Sequence, residues 1–385
     1  RRQRPARPRA ARLGADDSST TCAAYWMRVL LLVTDAYGGH GGIAYYNRCL
    51  TEALAAMPEV EEVVVIPRVA RFSAISLPPK VRFLHSSIGG KARYAGVVAT
   101  QFTRRFDLVI CGHVNLLPIA FPFAVLKHAP LVLQVHGIDV WQEPKSWLLR
   151  RMCRAMNRVW SVSEFTRDRM NAWAQLPTTA YTVIPNTIDT GSYGMSPRRS
   201  DLVDRYRLHG KKVVLTLARL SASERYKGID ELLELFPALL EREPTLAYLI
   251  VGDGDDLHRL KAKAEALGLA DHVVFGGYVP EHEKADHLRL ADVFALPGRG
   301  EGFGIVLLEA MACGIPVVGS CLDGSREALR GGALGELVNP DLPHNVAEAI
   351  LRACRRPKEI LAGLEHFDRR NFNARIASAV RTCGR

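Results

Sequence analysis

The stretch Pro297-Gly298-Arg299-Gly300-Glu301-Gly302-Phe303-Gly304-Ile305-Val306-Leu307-Leu308-Glu309-Ala310-Met311-Ala312-Cys313-Gly314-Ile315-Pro316-Val317-Val318 decides how the whole chain is read. Its first half is broken by glycine, which loses the most entropy on ordering, so it cannot be regular structure. From Ile305 the apolar residues fall at helical spacing, and Gly314 with Pro316 ends that helix. Ile315 to Gly319 then reads as a short buried strand, as does Ala291 to Leu296 upstream. Strand, glycine loop, helix, strand is a βαβ crossover, the unit of a parallel sheet.

Such a loop presents the backbone N–H groups of Gly302, Phe303 and Gly304 at a helix N-terminus. Unpaired donors and the helix dipole attract anions there. Glu301 stands in the loop and Glu309 one to two turns inside the helix. Two carboxylates repel a phosphate, so their fitting task is to accept hydrogen bonds from neutral hydroxyls beside it, sugar on one side and ribose on the other. The plainer alternative is a surface glutamate and a helix-capping loop.

This stretch resembles the signature of the retaining glycosyltransferases of family 4, which have the GT-B fold and carry two glutamates flanking seven residues. The resemblance implies that Glu301 with the backbone of Gly302, Phe303, Gly304 and Ile305 holds the donor sugar, and that Glu309 binds the nucleotide ribose. GT-B places two Rossmann-like doubly wound α/β domains across a cleft. The chain then divides into an acceptor domain over 27–185, a linker over 186–200, a donor-binding domain over 201–368, and a last helix over 369–385 that crosses back.

Length and composition agree with such a plan. At 385 residues the chain holds about two domains of roughly 150 residues each. Apolar content of 48% with 24% charged is ordinary for a globular protein. The net charge of +11 favours acidic partners, among them nucleotide phosphates and anionic membranes. The eight cysteines are scattered with no Cys-x-x-Cys, which points to reduced thiols in a cytosolic protein rather than disulfides or a zinc site. No apolar run of about 18 residues is present to span a membrane. Residues 1–26, an Arg/Ala/Pro tract followed by Asp, Ser and Thr, show no period and no signal-peptide core, and are expected to be a disordered extension. Met27 opens the first strand and is expected to be the native start.

After that strand comes Asp35-Ala36-Tyr37-Gly38-Gly39-His40-Gly41-Gly42-Ile43-Ala44. Gly39-x-Gly41-x-x-Ala44 also matches a dinucleotide fingerprint, which wants an acidic residue ending the second strand. That strand ends in Pro67-Arg68 instead, so a nicotinamide oxidoreductase is a weakened alternative. By the family resemblance, Gly41 and Gly42 approach the donor diphosphate. Further strands over Val81–Leu84, Asp107–Cys111, Pro130–Val135, Val159–Val162 and Tyr181–Ile184 continue a parallel sheet, with a helix expected up to Arg105. His136 follows the Pro130–Val135 strand, at the end where ligands bind. The family analogy puts it near the anomeric carbon.

The segment from Pro185 to Pro197 has linker composition, with Thr187 where relatives carry Gly. A second set of strands begins at Lys211–Leu217 and delivers Arg219; Lys227-Gly228 then opens a helix. Two cations at a strand–helix turn suit a diphosphate, Arg through bidentate bonds and Lys as a point charge. The resemblance gives Arg219 and Lys227 that role, and puts Tyr278 and Val279 beside the nucleotide base. It also covers Asp323-Gly324-Ser325-Arg326-Glu327.

The expected reaction moves a hexose, with retention, from a nucleotide diphosphate sugar to an acceptor hydroxyl, the acceptor being a lipid-linked or other glycan of cell-surface polysaccharide synthesis. His136, Arg219, Lys227 and Glu301 are the expected catalytic residues. No resident cofactor or metal is expected; GDP-mannose or a UDP-hexose is the co-substrate. A non-catalytic nucleotide-sugar binding protein is a second alternative, and nucleic acid is not expected as a partner because no recognition motif accompanies the charge. Lys145 to Arg158 carries basic residues and no acid, with Trp147, Leu148 and Met152 near Arg150, Arg151 and Arg154 on a helix. This amphipathic basic surface fits peripheral attachment to the cytoplasmic face of an anionic membrane.

Overall fold

The computed structural model describes residues 26–39, 41–70 and 76–383. The expected N-terminal extension, apart from Trp26, lies outside them, as does His40. Two parallel sheets form. The first contains β1 (Met27–Val33), β2 (Val60–Pro67), β3 (Val81–Phe83), β4 (Leu108–Cys111), β5 (Leu131–Val135), β6 (Val159–Ser161) and β7 (Tyr181–Val183), in the order β3-β2-β1-β4-β5-β6-β7. The second contains β8 (Lys212–Leu217), β9 (Leu246–Val251), β10 (Val273–Gly277), β11 (Val293–Leu296), β12 (Val317–Ser320) and β13 (Glu336–Val338), in the order β10-β9-β8-β11-β12-β13.

Both sheets are doubly wound, because apolar side chains point to either face. Val29 to Val33 and Val293 to Leu296 are all fully buried, as expected for parallel strands covered by helices on both sides. Strand order reverses between β1 and β4 in one sheet and between β8 and β11 in the other. Ligands in such sheets sit outside the carboxyl ends of the strands at these reversals. The loops that leave there are Thr34–Gly41 and Gly112–His113 in the first sheet, Ala218–Gly228 and Pro297–Gly304 in the second.

The chain passes between the halves twice, at one place. Ile188 forms a parallel bridge with Asp368, and the Ile188 N–H donates to the Phe367 carbonyl at 2.9 Å. Thr187 is buried and donates its hydroxyl to the same carbonyl at 2.8 Å. The last helix runs over Arg369–Cys383 and packs on the helix Gly42–Ala56. Arg369 pairs with Glu52 at 2.7 Å and Arg381 with Glu59 at 2.8 Å. Phe372, fully buried, meets Tyr46 edge-on with ring centres 5.5 Å apart.

Two expectations need correction. The helix anticipated up to Arg105 spans Lys91–Thr100, and the chain then tightens into a 3-10 turn at Gln101–Thr103. The basic helix, Trp147–Arg154, is shorter than its sequence stretch, and although the stretch holds no acid, Glu143 just before it reaches Arg154 at 2.8 Å and Arg150 at 3.7 Å.

Because Phe372 fixes the returning helix to the first half, Phe372→Ala should lower the unfolding free energy by about 3–5 kcal/mol. Chemical denaturation checks this. A loss below about 1 kcal/mol, the scale of an ordinary surface substitution, would mean the helix is not docked.

Candidate active site

The loop after β11 is shaped by what lies under it. A Cβ on Gly298 would stand 2.7 Å from the Tyr226 carbonyl oxygen, and one on Gly300 would fall 2.0 Å from the Tyr226 ring. The Arg299 N–H donates to that same carbonyl at 2.7 Å. Glycine is therefore what lets the loop lie flat on the turn at 226–228. This contact brings the Lys227 Nζ to 3.0 Å from Glu301 Oε1 and 3.7 Å from Glu224. Burial works against the charge on Lys227, but Glu301 and Glu224 outweigh it and hold its pKa above the ordinary value. Arg219 pairs with the other side of Glu224 and is largely exposed to the cleft.

Behind the loop, Asp323 acts as a staple. Its carboxylate accepts from the backbone N–H of Glu301 at 3.0 Å and of Ser325 at 2.9 Å, while the Gly324 N–H donates to the Glu301 carbonyl at 2.8 Å. Burial pushes Asp323 up to about 7 against these hydrogen bonds. Phe303 is buried and packs edge-on against Phe367, with ring centres 5.5 Å apart. The helix begins at Ile305, as its spacing predicts, with Gly304 in the left-handed region at φ 90° as its cap. Of the three N–H groups anticipated at its N-terminus, only that of Gly304 is at the cap itself.

Glu309 lies inside that helix, 4% exposed. Its Oε1 is 2.8 Å from Lys284 Nζ, which also reaches Glu281 at 2.8 Å. Tyr278 and Val279, following β10, line the same cleft, as do Gly252 and Asp253.

The first half supplies the opposite wall. Gly41, at φ 98°, caps the helix Gly42–Ala56, and a Cβ on Gly42 would sit 3.4 Å from Ile305 Cδ1. Arg48 donates to the carbonyls of Ala36 and Gly39 at 3.1 and 2.8 Å, which fixes the loop after β1. His136 follows β5, its Nε2 3.0 Å from the Gly112 carbonyl, so the proton is assigned to Nε2. Burial, reinforced by His113, lowers its pKa to about 4, so the ring is neutral near pH 7. Asp139 holds the turn by accepting from the N–H of His136 at 3.2 Å and of Gly137 at 2.6 Å.

The two walls touch at glycine. A Cβ on Gly302 would stand 1.9 Å from the His136 carbonyl oxygen. Ser163 donates its hydroxyl to the Gly302 carbonyl at 2.7 Å. Glu327 accepts from the N–H groups of Glu164 and Phe165 at 2.6 and 2.7 Å, capping a helix of the opposite half.

All the residues singled out from sequence (Gly41, Gly42, His136, Arg219, Lys227, Tyr278, Val279, Glu301 to Ile305 and Glu309) line one cleft of about 640 Å³. Sequence reasoning missed Lys284, Glu281 and Glu224 on its walls, and Asp323 and Glu327 behind it. The last two lay in a stretch already matched to the family, which was the available signal. Lys284 had none. Among the described residues no group of three or more His, Cys, Asp or Glu side chains is placed to hold a metal ion.

Residues 40–192 match the family model described as Glycosyltransferase Family 4, and residues 201–363 the model described as Glycosyl transferases group 1. A GDP-mannose-dependent alpha-(1-6)-phosphatidylinositol monomannoside mannosyltransferase of Mycolicibacterium smegmatis is 40% identical over 269 residues, covering 65% of this chain and 69% of that protein. The protein of the same name from Mycobacterium tuberculosis is 37% identical over 256 residues, covering 63% of this chain and 66% of its own length. The solved structure of Anabaena Alr3699/HepE with UDP-glucose superposes with a TM-score of 0.72 over 92% of this chain and 100% of that one; at 21% identity it speaks to the fold. Two Rossmann-like sheets, a cleft between their carboxyl ends and these matches lead to one assignment: the chain is a glycosyltransferase of the GT-B fold and belongs to glycosyltransferase family 4.

Proposed function

We propose that this chain is a retaining mannosyltransferase that takes GDP-mannose as donor and adds the sugar to a hydroxyl of a lipid-linked acceptor in cell-surface glycan synthesis. The observation that carries it is the pairing of Lys227 with Glu301 at the mouth of the glycine loop, with Arg219 beside it. As the glycosidic bond breaks, negative charge collects on the departing diphosphate. Arg219, Lys227 and the helix N-terminus at Gly304 are fixed beforehand, so they stabilise that charge with little reorganisation. No resident metal is called for in this reading, because these groups take the neutralising role.

Glu301, engaged by Lys227, is placed to accept hydrogen bonds from the donor sugar's hydroxyls. His136 is neutral and contributes a hydrogen-bonding ring rather than a charge. With neither poised as a free nucleophile, the acceptor oxygen bonds to the anomeric carbon on the face the diphosphate leaves while a diphosphate oxygen takes its proton, so the anomeric configuration is retained. GDP-mannose and the lipid acceptor are favoured by the names of the relatives at 40% and 37% identity.

The same reading places the enzyme at the cytoplasmic face of a membrane. No helix among the described residues is long and apolar enough to cross one. Trp147, Leu148, Val125 and Leu126 are exposed, the last two on the helix Leu117–Lys127, which packs against Trp147–Arg154. Large apolar side chains beside Lys145, Arg150 and Arg151 fit an anionic lipid surface.

Lys227→Ala and Arg219→Ala should each cut turnover by about 10²-fold or more, the scale of losing one transition-state donor. Release of GDP from GDP-mannose in the presence of acceptor lipid measures this, and turnover should survive EDTA. Kinetics unchanged in both variants would remove these cations from the site, and donor binding without GDP release would leave a binding protein.

In liposome flotation, vesicles with anionic lipid should recover more protein than neutral ones. Reversing Arg150, Arg151 and Arg154 to Glu should abolish the difference, at about 1 kcal/mol per cation near the surface. Equal recovery on both vesicles would defeat the membrane reading.

A further inference from the structure

The nucleotide end of the cleft contains a charge row that diphosphate chemistry does not use. Glu309 is almost wholly enclosed, and a lone carboxylate so placed is driven to take up a proton. Lys284, itself mostly buried, stands between it and Glu281, 2.8 Å from each. Tyr193, from the segment joining the two sheets, also faces Glu309. Helix Ile305–Ala312, helix Lys284–Leu288, the turn at Glu281–Glu283 and the interdomain segment therefore converge on one carboxylate. The titratable and charged groups that face it are Lys284, Glu281, Tyr193 and the Cys313 thiol.

Held between two carboxylates, Lys284 cannot reach a phosphate without abandoning both. Its effect falls on Glu309. We propose that Lys284 is a positioning residue of the donor site, holding Glu309 ionised and aimed into the cleft so that it accepts hydrogen bonds from the vicinal hydroxyls of the donor's ribose. This rests on the proposed donor-binding function and on the ribose role that the family resemblance implies for Glu309, and adds the group that makes the role possible. Burial, with a smaller contribution from Glu281, raises the proton affinity of Glu309, and Lys284 opposes it. Without the lysine the carboxylate protonates at higher pH. A protonated carboxyl loses part of its acceptor capacity, so donor binding weakens most on the acid side.

The test compares Lys284→Met, which keeps length and removes charge, with Lys284→Arg, which keeps charge. Calorimetric titration with intact GDP-mannose and UDP-glucose, without acceptor, runs from about pH 6 to about pH 9, a range that brackets the expected ionisation of a buried carboxyl. Lys284→Met should weaken donor binding about tenfold or more near neutral pH, the scale of stranding a buried charged partner. The deficit should shrink as pH rises, and Lys284→Arg should bind close to the parent. In turnover, KM for donor should move more than kcat.

Donor affinity within about twofold of the parent in Lys284→Met, a change smaller than one ordinary hydrogen bond, would overturn the proposal. So would a deficit equal at every pH or shared by Lys284→Arg, since packing alone would produce it. Should Lys284→Met fail to fold, Glu281→Gln carries the test: it leaves the lysine to Glu309 alone, so donor affinity should hold or rise, and a fall would contradict the proposal. Glu309→Ala separates the two levels. If it binds donor like the parent, the ribose role falls and the lysine proposal with it; if it weakens binding while Lys284→Met does not, only the lysine proposal falls.

Discussion

A lysine ammonium 3.0 Å from a glutamate carboxylate, both mostly withdrawn from water, is the interaction on which the rest of this cleft depends. A buried pair of this kind contributes little net stability unless its geometry is fixed by other bonds. Here it is fixed from both sides. Gly228 and Gly298 let the turn bearing Lys227 and the loop bearing Glu301 lie against each other without a side chain between them. Asp323 holds the Glu301 backbone from behind. The pair is thus a costly burial of charge that the fold sustains, which is what a preorganised site for a charged ligand requires.

The same loop is also where the halves of the molecule meet. Gly302 touches the His136–Gly137 backbone, accepts a hydrogen bond from Ser163, and lies next to Gly324, which immediately precedes the short helix Ser325–Ala328 that bears Glu327. Glu327 in turn caps the helix that begins at Glu164. Any change in how the two sheets face each other is therefore felt directly at Glu301. On the far side, Ile188 with Asp368 and the helix Arg369–Cys383 form the double crossing that keeps the halves together.

Much of this was legible in the sequence, for physical reasons that differ by residue. Parallel strands buried on both faces leave continuous apolar runs, so a segment such as Val29 to Val33 announces itself. Glycines forced by close backbone approach, Gly298 and Gly302 among them, are visible because nothing else fits. Lys284 was not legible: it lies 25 residues from Glu309 on a short helix, and their meeting is a product of tertiary register. Glu143 escaped for a similar reason, standing just outside the basic stretch it partly neutralises. The basic stretch read as uniformly positive because sequence proximity was counted and the fold-back of its neighbour was not. The bond from the Thr187 hydroxyl to the Phe367 carbonyl was not legible either, because its partners lie 180 residues apart in the chain.

The central claim is that one cleft holds a nucleotide diphosphate sugar with its diphosphate at Arg219 and Lys227 and its ribose at Glu309. The most direct measurement is a crystal structure of the full chain with GDP-mannose. The account predicts diphosphate oxygens within hydrogen-bonding distance of Lys227 Nζ and the Arg219 guanidinium, the ribose hydroxyls on the Glu309 carboxylate, and the hexose between Glu301 and His136. A nucleotide bound in the reverse sense, or phosphates seated on the first half of the chain out of reach of Lys227, would contradict it.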